Sequence, residues 1–111
     1  MVTSSKNDYL DLVFELTNIR DYFDLVITGD QITKGKPDPE SYLLASRKLE
    51  VNPSECVVFE DAPNGILAGK NAAMKVIAIP SQFVKGDETF SKADLVLDSL
   101  EELTLEKIKA V

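Results

Sequence analysis

The fold is decided by residues 57–66, which read Val57-Val58-Phe59-Glu60-Asp61-Ala62-Pro63-Asn64-Gly65-Ile66. The apolar run that ends at Glu60 indicates a buried β-strand, and a proline at position 63 favours the first turn of a helix. Fully apolar strands that alternate with helices are typical of a parallel sheet covered by helices. Ligands of such sheets bind beyond the carboxyl ends of the strands, so the polar residues that follow each strand are the candidate site.

The same alternation continues on both sides of this stretch. Short apolar runs predict further strands at residues 25–28, 76–79 and 95–97. Helical spacing of apolar residues predicts helices between the strands, and the residues expected on their inner faces are Leu10, Val13, Phe14 and Thr17 on the first, and Tyr42, Ala45 and Leu49 on the second. The sequence therefore predicts an α/β fold.

Capping signals and small residues add detail to the predicted helices. Asp38 is the expected N-cap of the second helix, with Pro39 at its first position. Ser99 and Glu102 have the spacing of a capping box for a C-terminal helix. Small side chains should let the third helix lie close to the sheet; they belong to Gly65, Ala68, Gly69, Ala72 and Ala73.

Composition excludes several classes of function. The chain has 111 residues, a formal net charge of −7, no histidine and one cysteine. A chain of this length forms one domain at most. Because histidine is absent, catalytic Ser-His-Asp and Cys-His arrangements and imidazole zinc sites are excluded. Cys56 cannot form an intrachain disulfide, and its apolar neighbours indicate a buried side chain.

The balance of charge and hydropathy also limits the partners. The chain has 19 acidic and 12 basic residues, which argues against a nucleic-acid backbone as the main partner. No apolar run approaches the roughly 18 residues needed to cross a bilayer, so no membrane partner is expected. The N-terminus has no long apolar segment behind a basic start, as a signal peptide would. A cytoplasmic protein is therefore expected.

Two candidate features come before predicted helices. Residues 3–7 read Thr3-Ser4-Ser5-Lys6-Asn7, and hydroxyl and amide groups at a helix N-terminus favour a phosphate or another anion. The same residues could simply cap the helix. Lys36 lies in a predicted loop, where a lysine is either an anion ligand or a solvated surface charge.

The other two features follow the strand that ends at Glu60. Adjacent carboxylates at Glu60 and Asp61 suggest a hard cation such as Mg²⁺, although Asp61 could instead cap the following helix. The amide of Asn64 could reach a ligand, but turn chemistry would explain this residue equally well. The segment from Gly29 to Gly35 is not a phosphate-binding P-loop, because five residues separate the two glycines where four are required.

In order and wording, these motifs resemble the haloacid dehalogenase superfamily, and more narrowly its branch with β-phosphoglucomutase and small sugar-phosphate phosphatases. The resemblance runs from residue 2 to about residue 100. It is carried by Thr3-Ser4-Ser5, by Gly35-Lys36-Pro37-Asp38-Pro39, and most specifically by residues 57–66 with Ala68, Ala72 and Met74 behind them. It implies a three-layer, Rossmann-like core with a parallel sheet, and a Mg²⁺-dependent phosphohydrolase or phosphomutase.

The resemblance also implies roles for individual residues. Thr3 matches the residue that binds the transferred phosphoryl group, and Lys36 matches the lysine that neutralises it. Asp61 matches the Mg²⁺ ligand, with Glu60 as a neighbouring carboxylate. Lys36 is then expected within a few ångströms of both Thr3 and Asp61. The positions where some members contact the rest of a small phosphorylated metabolite, a sugar phosphate in this branch, are Ser5, Lys6 and Asn7; Ser4 and Asn64 are further binding candidates.

One feature of the family is absent from these 111 residues. The family's nucleophile and its general acid/base belong to an Asp-x-Asp motif, and no two aspartates here are two positions apart. We therefore expect residues 1–111 to be the C-terminal portion of a core domain, lacking the first strand and the cap domain, and inactive alone. Self-association or a complementing N-terminal segment is expected to fill the position of the missing first strand. A non-catalytic binding module that keeps the fold is the alternative.

Overall fold

A three-stranded parallel sheet forms the centre of the computed structural model, which describes residues 1–111. Its strands are β1 (Val57–Glu60), β2 (Lys75–Ala78) and β3 (Leu95–Val96), in the order β1-β2-β3. Val57 pairs with Lys75, and Ile77 pairs with Leu95. All three strands were predicted, and their ends agree with the prediction to within one residue.

The chain also forms four α-helices: α1 (Asn7–Thr17), α2 (Glu40–Lys48), α3 (Pro63–Asn71) and α4 (Leu105–Ala110). Short 3₁₀ turns connect the elements at Arg20–Tyr22, Gly29–Gln31, Pro53–Glu55, Glu88–Lys92 and Leu100–Glu102. None of the helices combines the length and the hydropathy that crossing a membrane requires. The α/β prediction is therefore confirmed.

The core lies between α3 and the sheet. Ile66 and Ala68 of α3 are fully buried against β1 and β2, where Val58 and Val76 point toward the helix. Gly69 brings the helix close, since a Cβ atom on it would lie 2.7 Å from a methyl group of Val76. Burial of each large aliphatic side chain contributes about 1.5–3 kcal/mol, so this contact is the main source of stability.

Asp94 connects α3 and the start of β3 to β2 through hydrogen bonds. One oxygen of its carboxylate accepts hydrogen bonds from the Lys70 ammonium and from the Val76 backbone N–H, both at 2.8 Å. The Asp94 backbone N–H in turn donates to the carbonyl oxygen of Val76 at 2.8 Å. Burial raises the pKa of Asp94, but the bonds from Lys70 and Val76 outweigh burial, and the net pKa is below its usual range.

The predicted strand at residues 25–28 is wrong as a strand. Only one bridge forms, between Val2 and Ile27, with Thr3 N–H donating to the Ile27 carbonyl at 2.9 Å. The ladder stops because the chain turns at Ser4-Ser5, where Gly29 N–H donates to the Ser5 carbonyl at 2.9 Å. No hydrogen bond or ion pair joins residues 1–31 to residues 32–111, so packing alone holds the two parts together.

Three details of the helices also differ from the prediction. Leu49 is 47% exposed, because α2 ends at Lys48 and the leucine borders an open groove. Ala73 is exposed with a φ of 61°, since it follows the end of α3. The capping box of Ser99 and Glu102 is present, but it caps the 3₁₀ turn at 100–102, and α4 begins at Leu105.

The remaining predicted helix features are partly confirmed. The prediction of Asp38 as the N-cap is wrong, because the N-cap of α2 is Pro39; Asp38 Oδ1 accepts from the N–H of Glu40, the first residue of the helix, at 2.9 Å. On the inner faces, Leu10, Tyr42 and Ala45 are buried, whereas Thr17 is exposed at the end of α1.

We predict that Asp94→Ala lowers the free energy of unfolding by about 2–3 kcal/mol, because it leaves the Val76 N–H without a partner and removes a charged hydrogen bond. Urea denaturation followed by circular dichroism measures the change. The matched control is Asp98→Ala, since Asp98 pairs only with Lys85 at 3.2 Å on the exposed surface. This control should change stability by less than about 1 kcal/mol. Equal effects in the two variants would contradict the role assigned to Asp94.

We also predict that Gly65→Ala destabilises the protein, although alanine favours a free helical position by about 0.5–1 kcal/mol. A Cβ atom on Gly65 would overlap the Glu60 carboxylate, and such overpacking costs about 1–3 kcal/mol. The same denaturation experiment should therefore show a net loss. Gly86→Ala is the control, because a Cβ atom there meets no neighbouring atom and the change should stay within about 0.5 kcal/mol. A stabilised Gly65→Ala protein would show that the carboxylate lies elsewhere.

Candidate functional site

The loop at residues 33–37 carries Lys36 and is held from two sides. The Glu40 carboxylate accepts hydrogen bonds from the backbone N–H groups of Thr33, at 2.9 Å, and Lys34, at 2.5 Å. These backbone bonds lower the pKa of Glu40. The Asn71 side-chain amide donates to the Pro37 carbonyl at 3.2 Å, and the Lys36–Pro37 peptide bond is cis. The loop therefore directs Lys36 toward the end of β1.

Lys36 forms an ion pair with Glu60. Its Nζ lies 2.5 Å from Glu60 Oε1, and the two side chains are only 14% and 9% exposed. The alternative of a solvated surface charge is therefore excluded for this lysine. An ammonium group has three N–H donors, and this hydrogen bond is the only one that Lys36 Nζ makes. Two donors remain for an anionic ligand.

Tyr42 completes this cluster from α2. Its hydroxyl donates to Glu60 Oε1, the same oxygen that Lys36 contacts, and its ring centroid lies 4.9 Å from Lys36 Nζ. Burial, and then the nearby Glu60 charge, raise the pKa of Tyr42, so the hydroxyl stays protonated and acts as a donor. The prediction from sequence placed Tyr42 only in the core. A polar contact could have been expected from the sequence, because the hydroxyl of a buried tyrosine usually forms a hydrogen bond.

Asp61 is the exposed carboxylate at the end of β1. Its side chain makes no hydrogen bond or ion pair, while its carbonyl oxygen accepts from Ser81 N–H at 3.3 Å. The N-cap of α3 is Ala62 with no side-chain cap, so the alternative that Asp61 caps this helix is wrong. A free carboxylate fits Mg²⁺, which is commonly held by one or two carboxylates and several waters. Glu60 is less available, because one of its oxygens already contacts Lys36 and Tyr42.

The segment at residues 3–7 belongs to residues 1–31, the part of the chain that shares no hydrogen bond with the rest. It folds into a local turn. Thr3 Oγ1 accepts from Ser5 N–H at 3.1 Å, whereas Ser4, Lys6 and Asn7 are exposed. The segment's side chains do not cap α1. Instead, the Asn7 backbone N–H donates to the Asp30 carboxylate at 2.7 Å, so a carboxylate from residue 30 already occupies this helix end. The contact between Asp30 and Asn7 was not predicted from the sequence.

The structure brings only some of the predicted residues together. Lys36 and Glu60 are in contact, and Asp61 follows directly on the strand. No hydrogen bond or ion pair joins Lys36 to Thr3 or to Asp61. Asn64 is exposed in the first turn of α3. The roles of these residues in binding therefore remain predictions.

An apolar groove lies between residues 1–2 and β1. Its volume is about 410 Å³, and eleven of its twelve lining residues are hydrophobic; they include Met1, Val2, Leu49, Cys56, Val57 and Phe59. The carbonyl oxygens of Cys56 and Glu60 accept from the N–H groups of Lys75 and Ile79, so the alternation of a parallel ladder turns the backbone of Val57 and Phe59 toward the groove. That strand edge has no partner. Cys56, predicted to be buried, is half-buried at this groove, and burial raises the pKa of its thiol.

Comparison with known proteins gives this arrangement a context. Hexitol phosphatase B of Escherichia coli K12 is 36% identical over 104 residues, which are 94% of this chain and 47% of that protein. Validoxylamine A 7'-phosphate phosphatase of Streptomyces hygroscopicus subsp. limoneus is 38% identical over 103 residues, which are 93% of this chain and 47% of that protein. The chain thus spans about half the length of these curated relatives.

Solved structures are also similar to this chain. A family IA, variant 3 hydrolase from Entamoeba histolytica superposes with a TM-score of 0.85 at 33% identity, over 96% of this chain and 49% of that one. β-Phosphoglucomutase from Clostridium difficile superposes with a TM-score of 0.77 at 33% identity, over 89% and 42% of the two chains. The family model of haloacid dehalogenase-like hydrolases matches residues 1–79. The chain therefore belongs to the haloacid dehalogenase-like hydrolase family.

Proposed function

We propose that residues 1–111 are the C-terminal core portion of a Mg²⁺-dependent phosphohydrolase that acts on a small phosphorylated metabolite, a sugar phosphate. The observation that carries the proposal is the Lys36 ammonium, which lies at the carboxyl end of β1 with two unused N–H donors. Phosphoryl transfer depends mainly on neutralising and aligning the phosphate oxygens, which such an ammonium can do. The names of the phosphatase relatives support the substrate class.

Each candidate residue has a role in this proposal. Lys36 neutralises the phosphoryl oxygens, and Glu60 holds the ammonium in place. Asp61 is the carboxylate that would hold Mg²⁺, which supplies positive charge to the phosphate when it is bound. The Thr3 hydroxyl binds the same phosphoryl group. The residues assigned to the rest of the substrate are Ser4, Ser5, Lys6, Asn7 and Asn64.

The nucleophile is proposed to come from outside residues 1–111. This part of the chain has no Asp-x-Asp motif, and no carboxylate other than Glu60 pairs with Lys36. The apolar groove beside β1 has an unpaired strand edge, which can accept an additional extended segment by backbone hydrogen bonding. A complementing segment with an aspartate at its end would bring that carboxylate toward Lys36. Self-association through the same edge is the competing way to cover the groove.

Phosphomutase activity is the second candidate. It is supported by the superposition on β-phosphoglucomutase from Clostridium difficile, whose corresponding portion has the same fold. A mutase and a phosphatase need the same phosphate-neutralising groups. Product analysis separates them, because a mutase returns an isomeric phosphate ester and a phosphatase releases inorganic phosphate.

We predict that Asp61→Asn weakens Mg²⁺ binding by at least about tenfold, the usual scale for disturbing a metal's ligand environment. A Mg²⁺ titration of the 111-residue chain, followed by the amide NMR signals of residues 60–62, measures the affinity. In an assembly that contains an Asp-x-Asp segment, the same change should lower turnover by a similar factor. Asp98→Asn is the matched control, because its side chain is exposed and pairs only with Lys85. Unchanged Mg²⁺ affinity in Asp61→Asn would remove Asp61 as the ligand.

We further predict that residues 1–111 alone release no phosphate from sugar phosphates, because these residues lack the Asp-x-Asp motif that carries the family's nucleophile. A phosphate-release assay with Mg²⁺, run beside a measurement of mass in solution, tests this. Addition of a segment with the Asp-x-Asp strand and cap domain should restore turnover where the two assemble.

Two results would count against this picture. Robust turnover by the purified 111-residue chain would show that a residue within it is the nucleophile. A monomer whose groove stays open, as judged by rapid reaction of Cys56 with a thiol reagent in the presence of the added segment, would contradict complementation at this edge.

A further inference from the structure

Tyr42 has two contacts that a side chain serving only to fill the core would not need. It is 6% exposed on the inner face of α2, where helical spacing alone accounts for its burial. Its hydroxyl nevertheless donates to Glu60 Oε1, and its ring lies beneath the Lys36 ammonium, 4.9 Å from the ring centroid. Both partners of the Lys36–Glu60 ion pair therefore touch the same tyrosine.

The Glu60 carboxylate is held on its other side by α3. A Cβ atom on Gly65 would overlap this carboxylate, so the group lies directly against the backbone of the first helical turn. Glu60 Oε1 accepts from both Tyr42 and Lys36, and its side chain is 9% exposed. With the carboxylate held between α2 and α3, the position of the lysine is set by groups that cannot easily move.

We infer that Tyr42 is a positioning residue for Lys36: its hydroxyl holds the Glu60 carboxylate and its ring supports the ammonium, so that the two free N–H donors of Lys36 stay directed toward an anion. A cation above an aromatic face is attracted by the ring quadrupole, most strongly where water is excluded. A lysine side chain has four rotatable methylene bonds, and two supports limit the positions of its end group. The part of this inference that concerns phosphate rests on the proposed function.

Two substitutions at position 42 separate positioning from packing. Tyr42→Phe keeps the ring and its volume and removes only the hydroxyl, whereas Tyr42→Leu removes the ring as well. Tyr22→Phe is the matched control, because Tyr22 is 85% exposed and makes no hydrogen bond or cation–π contact with Lys36. Thermal denaturation of each variant confirms that the fold is retained before any comparison.

The first measurement is the side-chain order of Lys36, from NMR relaxation of its Cε, which needs no ligand. We expect Lys36 to be more ordered than exposed Lys48 in the parent chain, and to lose part of this order in Tyr42→Phe and more of it in Tyr42→Leu. The second measurement is the affinity for inorganic phosphate. It should fall about two- to fivefold in Tyr42→Phe and further in Tyr42→Leu, as expected for the loss of one and then two weak supports. Tyr22→Phe should change neither quantity.

The outcomes distinguish the two proposals. Unchanged Lys36 order and unchanged phosphate affinity in Tyr42→Phe and Tyr42→Leu would overturn the positioning role and leave phosphate binding intact. A loss of Lys36 order in a chain that binds no phosphate would support the positioning role and contradict the proposed function. Loss of order in Tyr42→Leu alone would restrict the role to the ring and overturn the part assigned to the hydroxyl.

Discussion

The arrangement of the site depends on the Glu60 carboxylate, which lies almost out of contact with water at the end of β1. A buried carboxylate without a partner costs several kcal/mol, so an opposite charge must reach it. Lys36 supplies that charge. The loop that carries Lys36 therefore lies at the end of β1, where hydrogen bonds with Glu40 and Asn71 hold it in place. Glycine at position 65 leaves the space that the carboxylate occupies.

Much of the fold could be predicted because the strands of this sheet are short and apolar. In the run at 76–79, consecutive side chains are buried on both faces of the sheet, whereas in the run at 57–60 Val58 is buried and Phe59 is 43% exposed. The two strands pair with each other and are joined through one helix. Residues 25–28 have the same apolar pattern but form only one bridge, since pairing depends on a distant segment that the pattern does not describe. Local sequence indicates that a strand is possible, and pairing decides whether it forms.

The candidate site was predicted less completely than the fold. The sequence placed Lys36, Glu60 and Asp61 at one sheet edge, but it did not show which carboxylate would pair with the lysine. Successive side chains of a strand point to opposite faces, so Glu60 is directed toward Tyr42 while Asp61 stays exposed. The contact of Asp30 with Asn7 was not predicted, because it spans 23 positions and no local motif indicates it.

The absence of hydrogen bonds between residues 1–31 and the remainder has a consequence for the protein's motions. Free energies of opening differ between regions of a protein, and a region held only by packing opens at lower cost than a hydrogen-bonded sheet. Residues 1–31 carry Thr3, whereas residues 32–111 carry Lys36 and Asp61. Sub-global opening at this boundary would separate the two walls of the groove without unfolding the β1–α3–β2 unit. The width of the groove is thus the distance that would change when residues 1–31 move away from β1.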